Sequence, residues 1–419
     1  MSLGISVVPL IIDLDPEFLF TKILVTTVPN LFIDFIFFSL NIAGLLFSIC
    51  FKLILIVIYN IFKMKNLKFL VLEGDGIGPE ITKSAIDVLE AALAIFDLKV
   101  DLIHEDIGFT SFKKHKTTFR NEILQVAEKC DGIILGTCSH NDYPPTNEGG
   151  LNPSGVIRKY FELYANVRPA RNRLGKSTRF PMGIDCIVMR ENTEGFYSDR
   201  NMYLGVGELM PTKDVAISIR NITRKGSMRI AETGFQYAQE RRKKLVAIHK
   251  ANVLRYSDGL FLECAREVSK KYPEVEYKEQ IVDSMSALII RDPSVFDVIL
   301  TTNLFGDNLS DAASEIAGGL GLAESINAGD NFCIAQAQHG SAPDIAGKNI
   351  ANPVSLIGST AMLLDWLGKK NNNSQLKEIA ELIENAIDKM IINPETRTPD
   401  IGGKLSTTEF TKKLIEQLK

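Results

Sequence analysis

From Met64 onward, short apolar runs alternate with longer amphipathic segments, and this alternation limits the folds open to the chain. KFLVLEGDGIG predicts a buried strand that ends in a glycine turn, and Pro79 then stands at a first helical position before EITKSAIDVLEAALAIF. GIILGTCSH, CIVMREN, KLVAIHKAN and FDVILTTN predict four more strands, with helical segments such as SDGLFLECAREVSKKYP between them. The pattern indicates an α/β fold with a mostly parallel sheet, in which ligands gather at the carboxyl ends of the strands.

The glycine turn permits two interpretations. Gly74, Gly76 and Gly78 follow a strand, as in nucleotide-binding turns, but their G-x-G-x-G pattern lacks the final spacing of the dinucleotide fingerprint. A tight strand-to-helix turn explains the glycines at least as well.

Residues 1–63 differ in kind from the rest of the chain. The stretch 35–51 is uncharged, and the apolar run resumes after Lys52, so its length permits a membrane helix. No cleavage pattern of small residues follows, which argues against a secretory signal. Because the soluble pattern begins at Met64, we favour upstream sequence translated from a misplaced start over a membrane anchor, and a peptide from this region in the native protein would contradict that interpretation.

Composition narrows the class of protein. A chain of 419 residues is long enough for more than one lobe, and its formal net charge of -4 gives no basic surface for nucleic acid. The six cysteines are scattered without a CxxC pair, which predicts reduced thiols in a reducing compartment, either the cytoplasm or, in a eukaryote, the mitochondrial matrix. Membrane association would require residues 1–63.

Arginines with the chemistry to bind carboxylates are concentrated in two segments. LNPSGVIRKYFELYANVRPAR contains Arg158, Arg168 and Arg171, and CIVMREN adds Arg190. Guanidinium groups bind carboxylates bidentately, so three or four of them suit a substrate with at least two carboxylates. Any one of them alone is explained equally well by a solvated surface.

Candidate acid–base groups and carboxylates follow. Tyr197, seven residues after Arg190, is a possible proton donor, and Lys250 directly follows an apolar strand, where partial desolvation favours a general base. Asp307 and Asp311 are spaced i, i+4, which places like charges on one helical face. A solvated helix start explains this pair when it is taken alone, whereas a divalent-cation site explains it if other groups converge there.

In order along the chain, GDGIGPE, YANVRPAR, RENTEGFY, HKANV, TTNLFGDNLSD and HGSAPDIAGKNIANP closely resemble the metal-dependent β-decarboxylating dehydrogenases, the isocitrate/isopropylmalate dehydrogenase family. The resemblance covers nearly all of residues 64–419. It implies a non-Rossmann α/β fold with two lobes around a cleft. Residues 64–163 and 318–419 would form a large cofactor-binding domain, and 164–317 a small domain with the dimer interface.

The resemblance also implies roles for individual residues. Arg158, Arg168 and Arg190 would bind the substrate carboxylates, Tyr197 and Lys250 would be acid and base, and Mg²⁺ or Mn²⁺ would be held by Asp283, Asp307 and Asp311. Lys250 and Asp283 would serve the site of the neighbouring subunit, so a homodimer with shared active sites is implied. The reaction would oxidise a small 2-hydroxy acid and release its β-carboxylate as CO₂.

The motif HGSAPDIAGKNIANP is implied to bind the cofactor through His339, Gly340, Ser341, Asp344 and Asn352. A carboxylate at Asp344 would accept hydrogen bonds from the adenosine ribose and repel a 2'-phosphate, which predicts NAD. For Asn352, a capping or loop-stabilising role is the alternative. The chain departs from the family just upstream. Gln336 stands where the family usually has glutamate beside the nicotinamide amide, so a change in cofactor affinity is expected.

The substrate loop also departs from the family pattern. Isopropylmalate enzymes carry a leucine pair four and three positions before the first arginine, where this chain has Ser154 and Gly155. Isocitrate enzymes usually carry serine or threonine six positions before it and asparagine four before it, and here these are Asn152 and Ser154. A small polar side arm therefore fits best, with isocitrate, tartrate and D-malate open and isopropylmalate disfavoured. A non-catalytic regulatory subunit is the alternative outside enzymes.

Overall fold

The structure is a computed structural model that describes residues 66–175, 183–197 and 207–419. The predictions about residues 1–63, including the apolar stretch 35–51, therefore lie outside the described residues. Among the helices of the described ranges, none combines the length and the apolar character needed to cross a membrane.

The described strands form a ten-stranded sheet and a separate hairpin. Their order in the large sheet is β2-β1-β3-β12-β11-β4-β5-β10-β8-β9, and the hairpin pairs β6 with β7. The strands are β1 (Leu67–Leu72), β2 (Val100–His104), β3 (Gly132–Leu135), β4 (Ala165–Arg171), β5 (Asp185–Glu191), β6 (Glu208–Thr212), β7 (Val215–Ser218), β8 (Lys244–His249), β9 (Glu276–Ile281), β10 (Val298–Thr301), β11 (Ile326–Ala328) and β12 (Cys333–Gln336). Among neighbouring strands of the large sheet, three pairs in its middle are antiparallel, namely β12/β11, β11/β4 and β4/β5, and the other described pairs are parallel. The prediction of a mostly parallel α/β sheet is therefore confirmed.

Helices connect these strands. They are α1 (Gly78–Ile95), α2 (Gly108–His115), α3 (Glu122–Ala127), α4 (Pro153–Tyr160), α5 (Arg224–Glu240), α6 (Ser257–Ser269), α7 (Val282–Arg291), α8 (Asn303–Ala317), α9 (Val354–Lys370), α10 (Ser374–Ile392) and α11 (Thr407–Gln417). Pro79 lies in the first turn of α1, as predicted. The largest core cluster joins the sheet to these helices through fully buried side chains such as Phe69, Leu89, Phe235 and Phe410.

The GDGIG turn packs too tightly against two other loops to accept side chains. Gly74 and Gly76 have φ values of 75° and 61°, and a Cβ on either would lie 2.0 Å from a carbonyl oxygen, that of Thr137 or Ser341 respectively. The backbone N–H of Ile77 donates to the Ser341 carbonyl at 2.8 Å. The turn therefore joins the loop after β3 to the predicted cofactor loop, and this packing accounts for its glycines.

Candidate active site

A cavity of about 270 Å³ opens at the ends of the central strands. Ten of the predicted site residues line it: Asn152, Ser154, Arg158, Arg168, Arg190, Tyr197, Asp307, Asp311, His339 and Gly340. Among the described residues, Lys250, Asp283, Ser341, Asp344 and Asn352 are not part of this lining. The cavity forms because strands that are far apart in the sequence are neighbours in the sheet: β5 lies beside β10, and β12 lies beside β3.

Asp307 lies at the centre of the charged part of this cavity. Its Oδ1 accepts a hydrogen bond from Arg168 Nη1 at 3.0 Å and is also paired with Arg190, and its Oδ2 lies 3.4 Å from the Tyr197 hydroxyl. Burial by itself raises the pKa of Asp307, but the charges of Arg190, Arg168 and Arg158 outweigh burial and lower it. Asp307 is therefore held as a carboxylate.

Close packing of α8 on β5 creates this contact. A Cβ on Gly306 would lie 2.7 Å from Arg190 Cγ, so glycine lets the helix approach the strand directly. Arg190 then donates from Nε and Nη2 to Asn303 Oδ1 at 3.0 and 2.6 Å. Arg168 is fixed in turn by Ser310 Oγ at 2.7 Å.

The aspartate pair lies inside α8 rather than at its start. The helix begins at Asn303, so Asp307 and Asp311 are beyond the first turn, where the helix dipole no longer offsets their repulsion. Arg168 Nη1 lies 3.0 Å from Asp307 and 3.6 Å from Asp311, which offsets it instead. Burial and the charge of Arg190, opposed by the two carboxylates, together lower the pKa of Arg168 to about 10.

Lys250 and Asp283 form an ion pair outside the cavity. They follow β8 and β9, at the far edge of the sheet. Within the described part of the chain, no three His, Cys, Asp or Glu side chains are grouped closely enough to hold a metal ion. One chain therefore offers only two of the three predicted metal carboxylates at the cavity.

The predicted substrate loop, which carries Asn152, Ser154 and Arg158, is fixed by hydrogen bonds within α4 and to Gln336. Asn152 caps α4 by accepting from the Gly155 N–H at 3.2 Å. Ser154 Oγ and Arg158 Nη2 both donate to Gln336 Oε1, at 2.9 and 3.1 Å. The glutamine at the end of β12 thus contacts the substrate loop directly.

The predicted cofactor residues differ in their surroundings. Burial lowers the pKa of His339, which favours a neutral imidazole at the cavity wall. Ser341 is buried and accepts from Ser139 Oγ at 2.7 Å, whereas Asp344 is exposed. Asn352 accepts from the Val354 N–H at 3.1 Å and donates to Asp400 at 2.9 Å, and these contacts stabilise the loop before α9.

Sequence reasoning missed several residues of the cavity wall. Thr137, Cys138 and His140 follow β3, where the rule that ligands gather at the carboxyl ends of strands would have found them. Burial and the nearby charge of Asp75 raise the pKa of Cys138 to about 12, so its thiol stays protonated. Gln338 was also missed; it lines the cavity and donates to Asp311 Oδ1 at 2.8 Å.

Hydrogen bonds of the buried Glu194 hold the RENTEGFY segment against two neighbouring helices. The Glu194 carboxylate accepts from the backbone N–H and the hydroxyl of Thr223 at 3.1 and 2.7 Å, and its backbone carbonyl accepts from Asn303 Nδ2 at 3.0 Å. Burial, assisted by the charge of Glu191, raises the pKa of Glu194 from 4.5 to about 7. The segment that carries Tyr197 is therefore joined to α5 and α8.

The raised pKa of Glu194 predicts a pH dependence of stability. Because the folded state binds this proton more tightly, its contribution to the free energy of unfolding is fully present below pH 4.5 and is lost as the pH rises through about 7. Glu194→Gln is expected to flatten this fall, measured by urea unfolding between pH 5 and about 8. The exposed Glu90→Gln on α1 is the control, and equal slopes in wild type and Glu194→Gln would contradict the assignment.

Comparison with known proteins identifies the family of this chain. The family described as isocitrate/isopropylmalate dehydrogenase matches residues 68–415. The homoisocitrate dehydrogenase of Methanocaldococcus jannaschii is 41% identical over 84% of this chain and 98% of its own length. The mitochondrial NAD isocitrate dehydrogenase catalytic subunit 6 of Arabidopsis thaliana is 40% identical over 82% of this chain and 87% of its own.

A solved structure gives the same result. The crystal structure of isocitrate dehydrogenase from Methylococcus capsulatus superposes with a TM-score of 0.74 at 36% identity, covering 84% of this chain and 99% of that one. The fold and site therefore define a β-decarboxylating dehydrogenase. The chain belongs to the isocitrate/isopropylmalate dehydrogenase family.

Proposed function

We propose that this protein catalyses NAD-dependent oxidative decarboxylation of a 2-hydroxy di- or tricarboxylic acid of the isocitrate type. The observation that carries the proposal is the convergence of Arg158, Arg168 and Arg190 on one cavity, with Asp307 between the last two. Guanidinium groups bind the carboxylates of the substrate, and the aspartate leaves a site for a cation beside them.

The residues present fit a divalent cation only when a second subunit contributes. Asp307 and Asp311 supply hard oxygen donors from one helical face, as Mg²⁺ and Mn²⁺ prefer, and Asp283 of the partner subunit would complete the set. Held by these residues, a divalent cation would supply Lewis-acid polarisation of the C2 oxygen and would stabilise the negative charge that develops on loss of CO₂. Arg168 and Arg190 keep Asp307 ionised and oriented for this role.

Proton transfers are assigned to Lys250 of the partner subunit and to Tyr197. Lys250 would accept the proton of the C2 hydroxyl, with NAD as the hydride acceptor. Tyr197, whose hydroxyl lies 3.4 Å from Asp307, would protonate the enol carbon after decarboxylation. Lys250 and Asp283 are already paired in one chain, so both would reach the neighbouring cavity together.

The surface around Lys250 supports a homodimer with shared sites. Val253 and Tyr256, three and six residues after the lysine, are 65% and 94% exposed, and Ile290 on the Asp283 helix is 56% exposed. Large apolar side chains with this exposure are typical of an interface with another subunit. In this proposal, residues 164–317 form the small domain that carries the interface, and 64–163 with 318–419 form the cofactor domain.

Cofactor and compartment follow from two further observations. The exposed carboxylate of Asp344 lies in the loop after His339 and Gly340, which suits hydrogen bonds to an adenosine ribose and disfavours a 2'-phosphate. Each of the described cysteines is a free thiol, which supports a reducing compartment, either the cytoplasm or the mitochondrial matrix.

A substrate panel tests the proposal. Purified protein is incubated with Mg²⁺ or Mn²⁺, NAD or NADP, and isocitrate, homoisocitrate, D-malate, tartrate or 3-isopropylmalate, and the reduced cofactor is followed by absorbance. We expect turnover of an isocitrate-type acid with NAD. A preference for NADP would overturn the role of Asp344, and turnover of none of these acids would favour a non-catalytic regulatory subunit.

A further inference from the structure

Asp258, in the first turn of α6, is a fully buried carboxylate that the proposed reaction leaves without a role. Its Oδ2 accepts a hydrogen bond from the backbone N–H of Lys250 at 2.6 Å, and its Oδ1 lies 2.6 Å from Nη1 of Arg220. The side chains of Asp258 and Arg220 are 0% and 8% exposed. A buried ion pair adds little net stability, because the desolvation of both charges offsets their attraction. What the pair does fix is the position of the groups that are bonded to it.

The backbone N–H of Lys250 lies directly after the last paired residue of β8. The pairing of β8 with β9 ends at His249, and its pairing with β10 ends one residue earlier. Asp258 therefore takes the place of a neighbouring strand and binds the N–H through a charge-assisted hydrogen bond. The carbonyl of Lys250 accepts from the N–H groups of Val253 and Leu254, at 3.0 and 2.8 Å, so both backbone groups of the lysine are held.

The loop that follows Lys250 gives it little other support. Each of residues 251–257 is at least partly exposed, and Val253 and Tyr256 are 65% and 94% exposed. The amine of Lys250 pairs with Asp283, whose side chain is 63% exposed. Because exposed loops with few buried contacts open easily, the lysine depends on the buried carboxylate of Asp258 for a fixed position.

Arg220 holds Asp258 from its other side. Its Nη1 also donates to Ser257 Oγ at 2.7 Å, and its Nη2 donates to Thr302 Oγ1 at 3.1 Å, directly before α8. The guanidinium carbon lies 5.6 Å from the centre of the Phe305 ring, within the range of a cation–π contact. Arg220 therefore connects Asp258 to the helix that carries the aspartate pair.

We infer that Asp258 is a positioning residue: by holding the backbone of Lys250 it places the amine for proton transfer in the cavity of the neighbouring subunit, and Arg220 keeps the carboxylate in place. The inference rests on the proposed function, in which Lys250 is the base of that cavity. A displacement of a catalytic group by about 1 Å can lower a rate about 100-fold. The effect of Asp258 is therefore expected in the neighbouring active site rather than in its own.

Heterodimers of two differently tagged chains test the inference. One chain carries Asp307→Asn and the other carries Lys250→Met, so the single working site combines the cavity of the second chain with Lys250 of the first. Asp258→Asn is then added to either the first or the second chain. Initial rates are measured with the preferred acid of the substrate panel, NAD and Mn²⁺.

Asp258→Asn in the chain that supplies Lys250 is expected to give a kcat about 10- to 100-fold lower than the same change in the chain that supplies the cavity. The KM for the acid is expected to differ by less than about twofold between the two, because the carboxylate-binding arginines are intact in both. A purely structural role would lower kcat equally in both placements. The exposed Asp101→Asn on β2, added to the chain that supplies Lys250, is the matched control for loss of an aspartate charge.

Asp258→Glu keeps the buried charge opposite Arg220 but moves the carboxylate away from the Lys250 N–H, because its side chain is longer by one methylene group. It is expected to show the same asymmetry between the two placements, so the inference can be tested even if Asp258→Asn prevents folding. Thermal unfolding and recovery of the doubly tagged heterodimer identify the chains that are folded.

The outcomes separate this inference from the proposed function. A wild-type protein with no turnover of any acid in the panel would contradict the proposed function itself. An inactive heterodimer without a change at Asp258 would contradict the shared site and this inference with it. An active heterodimer in which the two placements of Asp258→Asn, and those of Asp258→Glu, give equal kcat values would overturn the role of Asp258 and leave the reaction intact.

Discussion

Asp307→Asn is expected to lower kcat about 10³-fold and to raise the Mn²⁺ concentration needed for half-maximal activity, since cation stabilisation of charge supplies several kcal/mol to such a reaction. Asparagine keeps the shape of the side chain but removes the charge that Arg168 and Arg190 surround. Initial rates across a Mn²⁺ titration, together with Mn²⁺ binding by calorimetry without substrate, measure the two effects separately.

Asp87→Asn, at an exposed ion pair on α1, is the matched control for loss of one aspartate charge. Thermal unfolding checks that both variants are folded. An Asp307→Asn protein with wild-type metal dependence would refute the assignment of Asp307 as a metal ligand.

The second large effect is complementation between subunits. Lys250→Met and Asp307→Asn proteins are each expected to be inactive, because every site in either dimer lacks one essential group. In a heterodimer of the two, one site combines an intact cavity with an intact lysine from the other chain, so it should recover about half of the wild-type activity. Co-expression with two different tags and purification over both columns isolates this heterodimer for rate measurement.

A heterodimer that carries Lys250→Met in both differently tagged chains is the control and should stay inactive. If the purified mixed heterodimer is inactive as well, Lys250 does not serve the neighbouring cavity. The separation of Lys250 and Asp283 from the cavity in one chain would then need another explanation.

Much of the fold was predictable because its signals are local. Apolar runs, Pro79 and the glycine turn each specify one strand, one helix start or one close approach, and all were found where predicted. Site residues at the ends of those strands were predictable in part. Thr137, Cys138 and His140 were missed because a single threonine, cysteine and histidine carry no distinctive spacing, although their place after a predicted strand was a signal.

Contacts between distant segments were not predictable from spacing. Arg190 and Asn303 are 113 residues apart, and Ser154 and Gln336 are 182 apart, yet both pairs are hydrogen-bonded. Asn352, in the motif predicted to bind the cofactor, likewise donates to Asp400, which lies 48 residues away.

Residue type and short spacing were enough to predict five strands with helices between them, arginines with the chemistry to bind carboxylates, and the like-charged pair Asp307 and Asp311. Long-range strand pairing determines which of these groups share a cavity, because the sheet places β5 against β10 and β12 against β3 regardless of their distance along the chain. The same packing brings Arg168 to the aspartate pair, where it offsets the repulsion, and places Lys250 outside the cavity.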